Sequence, residues 1–305
     1  MTPAVFYCLT MLFSCSVLAQ SNNYKKEDNI VYGVTSGTAL LMDVYRPLKA
    51  NGKGLLYIPG SGFGFTYPLQ YDQPQLKDDV DLDSAYTGAW VHSLVNKGYT
   101  LFVINHRFTP VFKYKDIIND CRRAVRFIRS HAEKFNIDAS HIGAMGHSSG
   151  ACLAALLGTS DESFEEAPEK TDTTGFRVQA VVTLAAPFDL SDYKKQQDTA
   201  IDNDFAISIM SAYVGEQPET KDGSFLLSGK YAEASPLAHV STGDAPTLIY
   251  YSDNDPVIPP RHAIIMYKAL KKNQVPAKIV ERKGQNHGPV PDMNEVDQWF
   301  KTWLK

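Results

Sequence analysis

A chain of 305 residues is long enough for one large α/β domain or two small ones, so size alone leaves the domain count open. Apolar residues make up 44% and charged residues 21%, a balance that excludes a disordered, collagen-like or membrane-spanning chain. With 30 Lys and Arg against 34 Asp and Glu, a net charge of -4 and no long basic run, nothing in the electrostatics points to nucleic acid.

The first twenty residues carry no charged side chain, and their apolar run over 4–13 is too short to span a bilayer as a helix. Small residues at Val17 and Ala19 predict a signal peptide over 1–19 cleaved before Gln20, hence a secreted or periplasmic protein. The alternative reads Leu12-Phe13-Ser14-Cys15 as a lipobox, with the protein anchored through Cys15. Residues 20–305 then read as one domain, since no repeat or low-complexity linker divides them. Cys121 and Cys152 fall on apolar positions of predicted helices and read as small hydrophobes, without a disulfide scaffold or zinc cluster.

Strands are predicted near 30–34 and 39–45, close enough for a hairpin, and then near 55–59 and 100–105. Four more follow near 142–146, 178–185, 247–251 and 278–281. Helices are predicted over 89–96, 115–135, 149–158, 262–273 and 295–303. The alternation from the third strand onward is that of a mostly parallel eight-stranded sheet in a three-layer α/β/α sandwich. In the helix over 115–135, Ile117, Cys121, Ala124, Val125, Ile128, Ala132 and Phe135 recur at spacings of three and four. Its Arg122, Arg123, Arg126, Arg129 and Lys134 read as a solvated face. Two stretches break the alternation, 64–86 and 192–235, and read as pocket walls or surface excursions.

Gly146-His147-Ser148-Ser149-Gly150 lies between a predicted strand and a small-residue helix. A sharp turn there exposes the Ser148 hydroxyl at a strand end, above a helix N-terminus that favours negative charge. A serine needs an imidazole to take its proton, and the imidazole needs an acid to fix its tautomer. Asp255 follows the strand over 247–251 and His287 follows the strand over 278–281, each in a polar loop. Asp253 and Asp189 are the rival acids. For a developing oxyanion, the Pro59-Gly60-Ser61-Gly62 turn offers the backbone N–H groups of Ser61 and Gly62, joined by that of Ser149. Phe63, Phe65, Tyr67, Tyr71 and Tyr86 are the candidate substrate contacts, suited to stacking on a sugar or aromatic acyl group. His106 and His147 read as packing or hydrogen-bonding residues.

Six segments carry a family likeness: Asp43-Val44-Tyr45-Arg46-Pro47, the Gly60 turn, Asn105-His106-Arg107-Phe108-Thr109-Pro110, the Ser148 turn, Ser235-Pro236-Leu237 and Asp255-Pro256-Val257. In these the chain resembles the esterase and lipase branch of the α/β-hydrolases, which includes hormone-sensitive-lipase-like and feruloyl-esterase-like (BD-FAE) enzymes. In such relatives the turn reads His-Gly-Gly-Gly, and here Pro59 and Ser61 replace the His and the second Gly. The resemblance implies an α/β-hydrolase fold and a carboxylesterase without metal or organic cofactor. Its substrate would be a small-molecule or polysaccharide-linked ester, with short-chain, acetyl and feruloyl groups as candidates. An amidase, peptidase or formamidase of the same fold, and a binding module without catalysis, are the alternatives. Nothing in the sequence addresses oligomeric state.

Overall fold

A computed structural model describes residues 23–66, 75–161, 175–191, 203–221, 224–226 and 228–305. The expected signal peptide, Cys15, Tyr67 and Tyr71 lie outside the described residues.

β1 (Tyr24–Thr35) and β2 (Thr38–Pro47) form the hairpin. β3 (Gly54–Ile58) leads into the glycine-rich turn; then come a 3-10 turn (Leu76–Asp78), α1 (Asp79–Leu82), α2 (Thr87–Asn96) and β4 (Thr100–Ile104). α3 (Tyr114–Ser130), β5 (Ile142–His147), α4 (Ser149–Thr159) and β6 (Ala180–Leu184) follow. α5 (Asn203–Val214), a small hairpin of β7 (Glu219–Lys221) and β8 (Ser224–Leu226), and α6 (Gly229–Glu233) fill the region after β6. The chain closes with β9 (Thr247–Tyr251), α7 (Pro260–Lys272), β10 (Ala277–Glu281) and α8 (Met293–Trp303).

The large sheet has eight strands in the order β1-β2-β4-β3-β5-β6-β9-β10, antiparallel at β1-β2 and β2-β4 and parallel elsewhere. Its central strands are buried on both faces, and successive residues point to opposite layers. Leu55 and Tyr57 of β3 join Trp90, Leu94, Val296 and Phe300 of α2 and α8, whereas Leu56 and Ile58 join Ile117, Val125 and Leu153 of α3 and α4. α7 packs beside α4 through Ala263, Met266 and Leu270. The result is the three-layer sandwich that the alternation predicts. Because β4 lies on one side of β3 and β5 on the other, the strand order reverses between β3 and β5. The crevice beyond their carboxyl ends is where open α/β sheets bind ligands.

Three expectations change. The apolar pattern of α3 continues to Phe135, but the helix ends at Ser130 and residues 131–135 turn while Ala132 and Phe135 stay buried. The stretch over 192–235 contains regular elements, α5 among them, where no alternation was legible. Arg122 does not belong to a solvated face: it is fully buried, its guanidinium donating to Ser160 Oγ at 2.9 Å and to the Asp161 carbonyl at 2.7 Å, above the Phe176 ring. A second layer, the C-terminal end of α4 and Phe176, covers that flank of α3, and helix periodicity carries no information about it.

The Asn105-His106-Arg107 corner is structural. Arg107 grips Asp120 of α3 with Nε and Nη2, both at 2.9 Å, tying the end of β4 to the helix behind it. His106 is buried beside it, its Nδ1 2.8 Å from the Arg107 carbonyl. Burial pushes this imidazole from the usual 6.5 down to about 4. The folded chain therefore keeps His106 neutral where the unfolded chain takes up a proton, so stability is intact above about pH 6.5 and is lost as the pH falls toward 4. His106 alone should remove about 2 kcal/mol by about pH 5. Urea unfolding at neutral pH and at about pH 5 checks this: the midpoint should fall with pH, and less steeply in His106→Asn.

Candidate active site

β5 ends at His147, and the next residue turns sharply into α4. Ser148 has φ 52° and ψ -124°, a conformation sparsely populated for a residue with a Cβ. Its N–H donates to the Leu184 carbonyl of β6 at 2.8 Å, while its own carbonyl accepts from Ala151 and Cys152 as α4 begins. The strand pairing and the helix together hold a strain of roughly 1–3 kcal/mol. The flanking glycines make this possible by close approach. A Cβ on Gly150 would lie 2.5 Å from the Pro59 carbonyl oxygen and closer still to that of Ile58, and one on Gly146 would strike the Gly150 backbone.

Asp255 and His287 arrive from the loops after β9 and β10. The Asp255 carboxylate, its side chain wholly shielded from solvent, accepts from the N–H groups of Val257 at 2.8 Å and Ile258 at 2.9 Å. It thus forms its own turn and still faces His287 Nδ1, at 2.9 and 3.0 Å from its two oxygens. A carboxylate with no proton to give can only accept, so Nδ1 carries the hydrogen and Nε2 keeps its lone pair. Nε2 stands 2.8 Å from Ser148 Oγ. Neither rival acid reaches this imidazole: Asp253 is exposed and accepts from Gly284 N–H at 2.6 Å, and Asp189 is taken up by Ser191.

The loop bearing His287 is fastened from behind. His147 Nε2 lies 2.7 Å from the His287 carbonyl, and burial together with the nearby His287 ring pushes the His147 imidazole down to about 4. A neutral His147 with its hydrogen on Nε2 donates to that carbonyl. Tyr86 packs against Trp90, the His147 ring and Gly288, and its hydroxyl has no hydrogen-bond partner among the described residues. Tyr86 therefore supports the His287 loop from the side.

The turn after β3 faces Ser148 across the switch point. A Cβ on Gly60 would lie 3.0 Å from the Cβ of Ser148. Gly62, Phe63 and Gly64 all have positive φ, and Ser61 ties the turn together, its Oγ accepting from Gly64 N–H at 2.8 Å. The N–H groups of Gly62 and Ser149 donate to no group among the described residues. That of Ser61 does not stand free: it donates to Ser149 Oγ at 3.0 Å, a partner that sequence reasoning did not foresee.

Of the aromatic candidates, Phe63 departs from expectation. Its ring is buried and stacked on Tyr213, the centroids 3.6 Å apart, so it offers no face to a ligand. Phe65 is half-buried with its edge toward Phe205. These partners belong to α5, which sequence reasoning missed. Phe205, Ile209 and Tyr213, each four residues apart, meet Phe65, Gly62 and Phe63 in turn. That spacing was the available signal, concealed because α5 is apolar on several faces.

A family model described as BD-FAE matches residues 42–270. The chain belongs to the BD-FAE family. A curated relative of this BD-FAE chain, the probable carboxylic ester hydrolase LipM of Mycobacterium tuberculosis, is 28% identical over 79% of this chain and 51% of its own. The BD-FAE chain spans about half the length of this relative and of two further curated esterases that it matches. Among solved structures, a truncated carbohydrate esterase from gut microbiota superposes with a TM-score of 0.73 at 23% identity, over 93% of this chain and 98% of that one. A butyrate-bound esterase of the planctomycete Thermogutta terrifontis gives 0.64 at 19% identity, over 92% and 91%. At such identities the likeness establishes the α/β-hydrolase fold. No helix among the described residues is long and apolar enough to cross a membrane.

Proposed function

We propose that the chain is a serine carboxylic-ester hydrolase. The reading rests on one observation: His287 bridges Ser148 Oγ at 2.8 Å and the Asp255 carboxylate at 2.9 Å, at the strand-order reversal. His287 Nε2 takes the hydroxyl proton as Ser148 attacks the ester carbonyl, and Asp255 stabilises the imidazolium that forms. The tetrahedral oxyanion collapses by expelling the alcohol, which receives the proton from His287. Water, activated by the same imidazole, then hydrolyses the acyl-enzyme. The relatives named as carboxylic ester hydrolases and esterases support this assignment.

The proposed substrate is a short-chain acyl ester, including one carried on a carbohydrate. Ile209 stands over Gly62, where the acyl group would lie, and the wall of Phe65 and Phe205 suits a sugar or aromatic face. A carbohydrate esterase and a butyrate-bound esterase among the structural neighbours support that choice. Export through the segment over 1–19 belongs to the same proposal.

The test is hydrolysis of p-nitrophenyl esters from acetyl to long acyl, beside an acetylated sugar and a peptide anilide. Short acyl esters should turn over fastest, and a fluorophosphonate should label Ser148 in the folded protein. Faster cleavage of the anilide than of every ester would replace this reading with an amidase. Absence of labelling at Ser148 would sink it.

A further inference from the structure

We propose that the Ser149 side chain is itself a catalytic residue, a hydroxyl donor to the oxyanion polarised from behind by the Ser61 N–H. The inference rests on the acyl-transfer reading above and specifies how its transition state is held.

Three observations carry it. The Ser61 N–H, the amide at the second glycine position of the family's turn, ends on Ser149 Oγ at 3.0 Å. Both residues are nearly inaccessible, at 5% and 2% exposure, so this contact is not shared with bulk water. The hydroxyl hydrogen of Ser149 has no acceptor among the described residues, and its oxygen is held on the amide next in the chain to Gly62, whose N–H, like that of Ser149 itself, donates to no described group. A hydroxyl that accepts one hydrogen bond still has its own hydrogen to donate. In a site of low dielectric, accepting from Ser61 strengthens that donation, and an oxyanion is the strongest acceptor that arises there.

The oxyanion hole then has two backbone donors, Gly62 and Ser149, and one side-chain donor, Ser149 O–H, with Ser61 acting through it. No proton is transferred: the hydrogen stays on Ser149 as the carbonyl becomes tetrahedral and again as it collapses. The competing use of the same contact is a plain tie between turn and helix. In that case, removing the hydroxyl frees the Ser61 N–H to serve the oxyanion directly.

Ser149→Ala distinguishes the two. Loss of the donor should lower kcat for p-nitrophenyl butyrate at least about tenfold while KM changes less than about threefold. Affinity for a short-chain trifluoromethyl ketone, which forms a tetrahedral oxyanion on the nucleophile, should fall in parallel. Ser149→Thr, which restores a hydroxyl, should recover most of both. Unchanged or raised kcat and ketone affinity in a folded Ser149→Ala would overturn the relay. A wild-type measurement stands independently of how the variants fold. In a crystal of the ketone adduct, Ser149 Oγ should lie within hydrogen-bond distance of the oxyanion, and a separation beyond about 3.5 Å also overturns the relay. Failure of the acyl-transfer reading looks different: the wild-type enzyme would neither hydrolyse the ester nor form the adduct.

Discussion

Replacing Ser148 with alanine should lower kcat/KM toward a short-chain ester by at least about a thousandfold while leaving the fold intact. In the proposed mechanism the nucleophile, the base and the acid act as one unit, so the first removal carries nearly the whole loss. His287→Ala should therefore be crippled to a similar degree, and the double variant little further. The thermal midpoint of Ser148→Ala should stay within a few degrees of wild type, because alanine occupies the same strained backbone and Ser148 Oγ's partner His287 is held independently by Asp255 and His147. Steady-state kinetics on p-nitrophenyl acetate with parallel thermal melts reads both quantities. Residual activity above about one per cent of wild type in Ser148→Ala, with contamination excluded by mass spectrometry, would move the nucleophile elsewhere.

Gly150→Ala should be damaging in a different way. The new methyl group meets the carbonyl oxygens of Ile58 and Pro59, which are backbone and cannot rotate aside. The start of α4 must retreat from the end of β3, at a cost of about 1–3 kcal/mol for forcing volume into a closed contact. That retreat also shifts Ser148 and the Ser149 N–H away from the Gly60–Gly62 turn. A misplacement near 1 Å in such a site costs about a hundredfold in rate, so activity should fall by that order even where the protein stays folded. Gly229→Ala is the control: nothing lies within 4 Å of its added methyl, and both stability and rate should hold. Equal behaviour of the two variants would contradict the close approach of strand end and helix.

The eight strands of the large sheet were legible because most hold a short apolar run bounded by turn formers, a local property of the chain, although β1 starts at Tyr24, ahead of its apolar part over 30–34, on a charged stretch that gave no strand signal. Ser148, His287 and the acid candidates Asp255, Asp253 and Asp189 could be picked out because the parallel part of the sheet delivers its strand ends to one edge. Polar groups just beyond those strands then lie along the same edge, and the loops decide which of them meet. The helices over 87–96 and 260–272 were likewise found within two residues of their ends.

What escaped has a common cause. Arg122 reads as surface on its own helix, and only Phe176 and the end of α4, remote in sequence, bury it. Phe63 reads as an exposed loop aromatic until Tyr213 stacks on it, 150 residues further along the chain. Residues 203–214 are apolar on several faces, so no single stripe declared which neighbours α5 would cover.

The Ser148 turn shows the division most clearly. Local sequence determined the strand, the glycines that let it turn, and the identity of the groups placed at the strand ends, because backbone sterics and hydrophobic period act over a few residues. Tertiary structure alone decided that His287 pairs with Asp255 and not with Asp253, and that the Ser61 amide meets the Ser149 hydroxyl. Hydrogen bonds are selected by distance and direction across loops that have no sequence relation to one another, and those are settled only when the sheet has closed.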